Sequence, residues 1–177
     1  MIKYKHKALV IGLKGYTLTS KEKTFLKNSK PWGVILFSRN IINLNQLKKL
    51  TTQIKKIVNN KNYPIFIDEE GGDVSRLNKI INHNYFSAKF FGDLYIKDKI
   101  KFEYTYKSYI NFLSNIFHYT VININTVPVL DLRVKGSSNI IGDRSFSSNK
   151  VSALEIVLLV SSLINFASLL SNKPNII

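Results

Sequence analysis

The chain has 177 residues, 45% of them hydrophobic and 21% charged, which is enough for one globular domain with a sizeable core. It has no cysteine, so disulfide frameworks and thiolate chemistry are excluded. The net charge is +15, yet only four of the 26 basic residues are arginine (Arg39, Arg76, Arg133, Arg144) and no nucleic-acid-binding motif is present. The lysine, asparagine and isoleucine bias reads as the drift of an AT-rich genome. We therefore expect no nucleic-acid partner.

The basic segment Met1 to Lys7 is followed by no apolar run of signal-peptide length, which predicts a cytoplasmic protein. Lys7 to Gly12 reads as a buried strand, and Ser20 to Asn28 as a helix with Ser20 as its N-cap. Gly33 to Phe37 is a continuous apolar run, the pattern of a strand covered on both faces. From Asn43 to Val58, Leu44, Leu47, Leu50, Ile54 and Ile57 recur at helical spacing, with Asn43 as the cap. Pro64 to Ile67 is a third strand, and Asp68 to about Asp93 a loop carrying Gly71, Gly72 and Gly92.

Lys97 to Tyr119 predicts a long aromatic helix. Asn123 to Leu130 is a fourth strand, weakened by Pro128, and Arg133 to Asn149 is a polar loop. Val151 to Leu170 has the length of a membrane span, but Glu155, Asn165 and several serines favour a buried barrel helix. Lys173 to Ile177 begins a fifth strand.

Repeated βα units imply a parallel sheet with right-handed crossovers. The fold class is α/β: an incomplete TIM-type barrel of about four βα units in one partial domain, 1–177. A complete barrel typically needs about 250 residues. An open doubly wound sheet is the alternative, but no GxGxxG follows the first strand.

Ligands of parallel barrels bind where strands end. The third strand ends in Asp68-Glu69-Glu70-Gly71-Gly72-Asp73, with Arg76 close behind. The fourth ends at Asp131, followed by Arg133 and then Ile141 to Phe146. Where lysine has replaced arginine wherever either serves, the surviving arginines mark places needing a planar, bidentate donor. All four lie after predicted strand ends. Asp68, Arg76 and Arg144 would suit sugar hydroxyls; solvated loop charges are the plainer alternative. The acidic cluster lacks calcium-loop spacing, and His6, His83 and His118 lack metal-ligand spacing, so no metal site is expected.

At these residues the sequence resembles the family 3 glycoside hydrolases of the bacterial β-N-acetylhexosaminidase type. Gly33 to Asn40 resembles the family's second strand, and Ile67 to Arg76 its Asp-Gln-Glu-Gly-Gly-x-Val-x-Arg signature. Thr126 to Asp131 and Ile141 to Phe146 match two further motifs in order. The resemblance implies that Asp68, Arg76 and Arg144 hold a terminal N-acetylglucosamine, with Glu70, Gly71, Gly72 and Asp131 in supporting places. It implies a retaining reaction on cell-wall fragments, with an aspartate nucleophile, a histidine acid/base and no cofactor.

This chain departs from the pattern at Glu69, where the family has Gln, and at Asp73, where Arg is common; both departures predict extra negative charge beside the sugar. The family's Lys-His-x-Pro-Gly-His-Gly stretch and its later nucleophile have no counterpart here. Inactivity of the chain alone follows as an expectation. The alternative is a non-catalytic sugar-binding module, or a subunit completed by a separate C-terminal half. An open half barrel would also expose sheet edges and apolar faces, which predicts self-association or poor solubility.

Overall fold

The structure is a computed structural model and describes residues 6–82, 85–134, 136 and 141–171, the side chains of 163–171 excepted. Four parallel strands, β1 (Lys7–Gly12), β2 (Pro31–Leu36), β3 (Ile65–Ile67) and β4 (Ile124–Asn125), form one sheet in the order β1-β2-β3-β4. Helices α1 (Ser20–Ser29) and α2 (Leu44–Val58) make the first two crossovers; α3 (Ala88–Lys97) and α4 (Lys99–Thr120) lie between β3 and β4, and α5 (Lys150–Ser171) follows. Strand order that follows chain order, without reversal, is the wall of a barrel; a doubly wound sheet reverses at a switch point. The predicted fifth strand at Lys173 to Ile177 lies outside the described residues.

The chain divides into two compact units. The first comprises Met1–Glu69, Arg76–Asn82 and Phe117–Thr126, and contains the sheet, α1 and α2. Strand alternation gives its sheet two different faces. Val34, Leu36, Ile65 and Ile67 are fully buried. The opposite face presents Ile35, Phe66 and Ile124, register neighbours across β2, β3 and β4, with Val10 of β1 on the same side, two residues before Gly12, the partner of Ile35; none of the four is buried. Trp32 stacks obliquely on Phe66, with ring centroids 5.4 Å apart. Asn40, fully buried, donates to the carbonyls of Leu13 (3.2 Å) and Gly15 (2.8 Å), tying the end of β1 to that of β2.

Several boundaries differ from the sequence reading. β1, expected buried, is the sheet's edge, and Ala8, Leu9 and Val10 are exposed. The N-cap of α1 is Thr19, not Ser20, because Thr19 and Glu22 form a reciprocal capping box. β2 begins two residues early, at Pro31. β4 is two residues long, not eight; its ladder reaches the Thr126 N–H, bonded to the Ile67 carbonyl, and Pro128 has no N–H to extend it. The predicted loop from Asp68 to about Asp93 contains the first turns of α3, capped by the Ser87 side chain. Asp98 then ends α3 and starts α4 by accepting from the Lys101 N–H at 2.9 Å.

Tyr63 is fully buried in the first unit and donates its hydroxyl to the Pro31 carbonyl at 2.8 Å. Burial pushes its pKa up to about 12. A phenol that ionises at about 10 unfolded and higher when folded stabilises the fold below pH 10, and that stability is lost as pH climbs through 12. Thermal melts should therefore show Tm falling across that interval, and Tyr63→Phe should fall less steeply. Identical slopes would assign the alkaline loss to other groups, such as Tyr106, whose pKa burial also raises.

The second unit comprises Glu70–Ser75, His83–Ile116 and Val127–Ile177. Its core is aromatic: Phe91, Tyr95, Phe102, Tyr106 and Phe146 pack with Ile110, Ile156 and Val160. Phe91 meets Tyr106 edge-on at 4.6 Å, and Tyr95 meets Phe102 edge-on at 5.3 Å, arrangements that the ring quadrupoles favour. The Tyr95 hydroxyl donates to Glu155 at 3.0 Å, giving the acid on α5 a partner within the protein. Among the described residues no helix is long and apolar enough to cross a membrane.

Candidate functional site

In the first unit the site begins where β3 ends. Asp68 accepts from the Arg76 Nη2 at 2.9 Å and from the Thr126 hydroxyl, beyond the end of β4, also at 2.9 Å. Each carboxylate oxygen thus has a donor. The Arg76 guanidinium lies 5.5 Å from the centroid of the Phe37 ring, and its Nε is buried without an acceptor among the described residues. Arg39 lies over the same ring at 4.5 Å, and its Nε donates to the Leu13 carbonyl at 2.8 Å. Cation–π contact and hydrogen bonds together hold both guanidinium groups over the strand ends.

Glu69 holds the loop that brings Arg76 back to Asp68. Its side chain is turned inward, 1% exposed, and one carboxylate oxygen accepts the backbone N–H groups of Arg76 (2.7 Å) and Leu77 (2.8 Å). The Asn125 side chain brackets its backbone, accepting from the Glu69 N–H at 2.9 Å and donating to its carbonyl at 3.1 Å. The extra negative charge expected beside a ligand is therefore spent on two backbone donors. Glutamine offers the same acceptor oxygen, so Glu69→Gln should melt within about 1 kcal/mol of wild type. Glu69→Ala leaves two donors unsatisfied and should cost about 2–4 kcal/mol by denaturant titration. Equal losses in the two variants would show that the charge, not the acceptor, holds the loop.

The second unit carries the other half of the predicted set. Arg144, at the end of the short 3-10 turn Gly142–Arg144, donates to both oxygens of Glu70: Nε at 2.8 Å and Nη2 at 2.9 Å. The Glu70 side chain is 4% exposed and that of Arg144 27%, so the pair is well shielded from water. Glu70 itself is held by a tight turn. Its N–H bonds the Val74 carbonyl, the Val74 N–H bonds the Gly71 carbonyl, and Gly71 and Gly72 take φ of +78° and +56°. A Cβ at Gly71 would strike the Phe86 carbonyl and come 2.9 Å from the Tyr109 hydroxyl. Glycine is required there on both counts.

The structure pairs Asp68 with Arg76 and Glu70 with Arg144. Asp131, Arg133 and Asp73 are exposed, and His83 lies outside the described residues. Sequence reasoning did not find Thr126, Asn125 or Phe37. Their positions at strand ends were readable, but their reach toward Asp68, Glu69 and Arg76 depends on register across the sheet.

Four parallel strands in chain order, with Arg76 held by Asp68 in the first unit and Arg144 held by Glu70 in the second, define a class: part of a (β/α) barrel. No protein-family model matches the chain. The β-hexosaminidase of Psychromonas ingrahamii is 33% identical over 159 residues, 89% of this chain and 44% of that protein. The β-hexosaminidase of Neisseria meningitidis serogroup A is 34% identical over 145 residues, 81% of this chain and 39% of the other. The crystal structure of NagZ from Neisseria gonorrhoeae in complex with N-trifluoroacetyl-D-glucosamine superposes with a TM-score of 0.78 at 28% identity, covering 92% of this chain and 48% of that one. A family 3 β-N-acetylglucosaminidase from Paenibacillus shares the fold, with a TM-score of 0.73 at 21% identity over 89% of this chain and 29% of the other. The chain spans less than half the length of these relatives. It belongs to the family 3 glycoside hydrolases of the β-N-acetylhexosaminidase type and corresponds to the N-terminal part of their barrel.

Proposed function

We propose that this chain supplies the sugar-binding part of a β-N-acetylhexosaminidase that removes terminal N-acetylglucosamine from cell-wall fragments in the cytoplasm. The observation that carries the reading is the pair of arginines each fixed by a carboxylate, Arg76 by Asp68 and Arg144 by Glu70. A guanidinium held in place has already lost its rotamer freedom, so a sugar hydroxyl or amide oxygen meets a preorganised donor. Asp68, Arg76 and Arg144 are assigned to the terminal sugar. Glu70, Gly71 and Gly72 position Arg144 and the loop, and Asp131 ends the third motif.

No residue of this chain is assigned the nucleophile or the acid/base, and the reaction needs both. They come from further protein, in the same polypeptide or a separate one. The half-buried sheet face of Ile35, Phe66 and Ile124, beside exposed Val10, supports such completion, since incompletely covered apolar patches mark interaction surfaces. A sugar-binding module without catalysis is the second reading.

A chromogenic β-N-acetylglucosaminide tests the assignment, with this chain alone and with any C-terminal half encoded downstream. We expect turnover only in the second case. Turnover by the chain alone, abolished in Asp68→Ala, would overturn the division of labour. Sugar binding without turnover in either case would favour the second reading.

A further inference from the structure

The two compact units are nearly equal in length but very unequal in charge. The first holds sixteen of the 26 Lys and Arg and three of the eleven Asp and Glu; the second holds ten and eight. Thirteen of the fifteen net positive charges therefore belong to the first unit. Genomic drift acts on both units alike. It accounts for the choice of lysine over arginine but not for this placement.

Much of the excess is on two helices that pack against each other. Lys21, Lys23 and Lys27 on α1, and Lys48, Lys49 and Lys56 on α2, are all exposed. The one acid on either helix, Glu22, is engaged by the Lys14 and Thr19 N–H groups and the Thr19 hydroxyl. Within this field Phe25, one turn from Lys21, is 40% exposed and lines a shallow hollow with Thr24 and Asn28.

We propose that the outer faces of α1 and α2 form a peripheral docking surface for an anionic lipid bilayer. Flexible ammonium groups suit a plane of mobile phosphates, which demands no fixed geometry, and each such lysine tightens binding by about fivefold. Phe25 adds an apolar side chain that can sit among headgroups. Neither helix contains arginine, the side chain that most often reads bases, and one exposed phenylalanine is no stacking platform for them. Docking is by the surface alone, since no described helix spans a bilayer.

Cosedimentation of the full chain with vesicles tests the surface, using phosphatidylcholine alone and phosphatidylcholine mixed with phosphatidylglycerol. Binding is expected only to the mixed vesicles, falling steeply with salt. The variant Lys21→Glu/Lys27→Glu/Lys49→Glu/Lys56→Glu should lose more than about a hundredfold. An equal charge change in the second unit, Lys97→Glu/Lys101→Glu/Lys107→Glu/Lys150→Glu, should lose less than about tenfold, and Phe25→Ala a few fold. Equal losses in the two quadruple variants would reduce the effect to net charge and overturn the proposal. So would an absence of vesicle binding at low salt. Tighter binding to duplex DNA than to vesicles, lost in the first variant, would make the surface a nucleic-acid site instead. Should circular dichroism show the first variant unfolded, the same four positions changed to Gln should weaken vesicle binding by about fivefold per lysine.

Discussion

Asp68→Ala should lose between about ten- and a hundredfold in affinity for N-acetylglucosamine, measured by calorimetric titration. The estimate follows from the partners of Asp68. Its carboxylate takes the Arg76 Nη2 on one oxygen and the Thr126 hydroxyl on the other. Removing it deletes the proposed sugar acceptor and frees the guanidinium that it fixes; a hydrogen bond to a charged group contributes about 1.5–3 kcal/mol. Arg76 and Asp68 are each about a quarter exposed, so their ion pair adds little to folding stability. The variant should thus melt within about 1 kcal/mol of wild type, separating loss of binding from loss of fold. Arg76→Lys should lose nearly as much affinity, because a point ammonium cannot reproduce a fixed planar fork. Unchanged sugar affinity in both variants would remove the end of β3 from the binding site.

The largest effect on stability is expected at Gly92, in α3. A Cβ at this position would overlap the backbone carbonyl of Phe146, whose own side chain is part of the aromatic core. Backbone cannot turn aside as a flexible side chain can, so Gly92→Ala must push the 146 segment away from α3. Overpacking of this kind costs about 3 kcal/mol, and for a chain of this size Tm should fall by about 10 °C. A helix-favouring Gly→Ala change would otherwise stabilise by up to about 1 kcal/mol, so the sign itself is diagnostic. An unchanged or raised Tm would show that α3 and the Phe146 backbone separate freely. Because Arg144 is two residues from Phe146, Gly92→Ala should also disturb the Glu70–Arg144 pair.

The sequence made the repeating βα plan legible because its signals are local. The β2 and β3 runs and the amphipathic pattern of α2 need no knowledge of the rest of the chain. β1 was misread as buried because an apolar run reads alike at the centre of a sheet and at its edge. α3 was missed because its start depends on a single Ser87 cap inside a segment rich in loop signals. At the site, the arginines were conspicuous in a lysine-rich chain, and Asp68 stood at an obvious strand end. The inward turn of Glu69 was not readable, since its partners are backbone N–H groups seven and eight residues away. Nor was the division of labour between two adjacent acids, Glu69 on a loop backbone and Glu70 on a guanidinium.

Trp32 on β2, against Phe66, is the chain's single tryptophan. Its emission reports on the sheet-bearing unit alone, while the ring cluster of the other unit is tyrosine and phenylalanine. Near-ultraviolet absorbance carries Tyr63 of the first unit together with Tyr95 and Tyr106 of the second, whereas fluorescence of the indole follows the first unit only. Recorded together during chemical denaturation, they reveal without any added label whether the units come apart in one step or in succession.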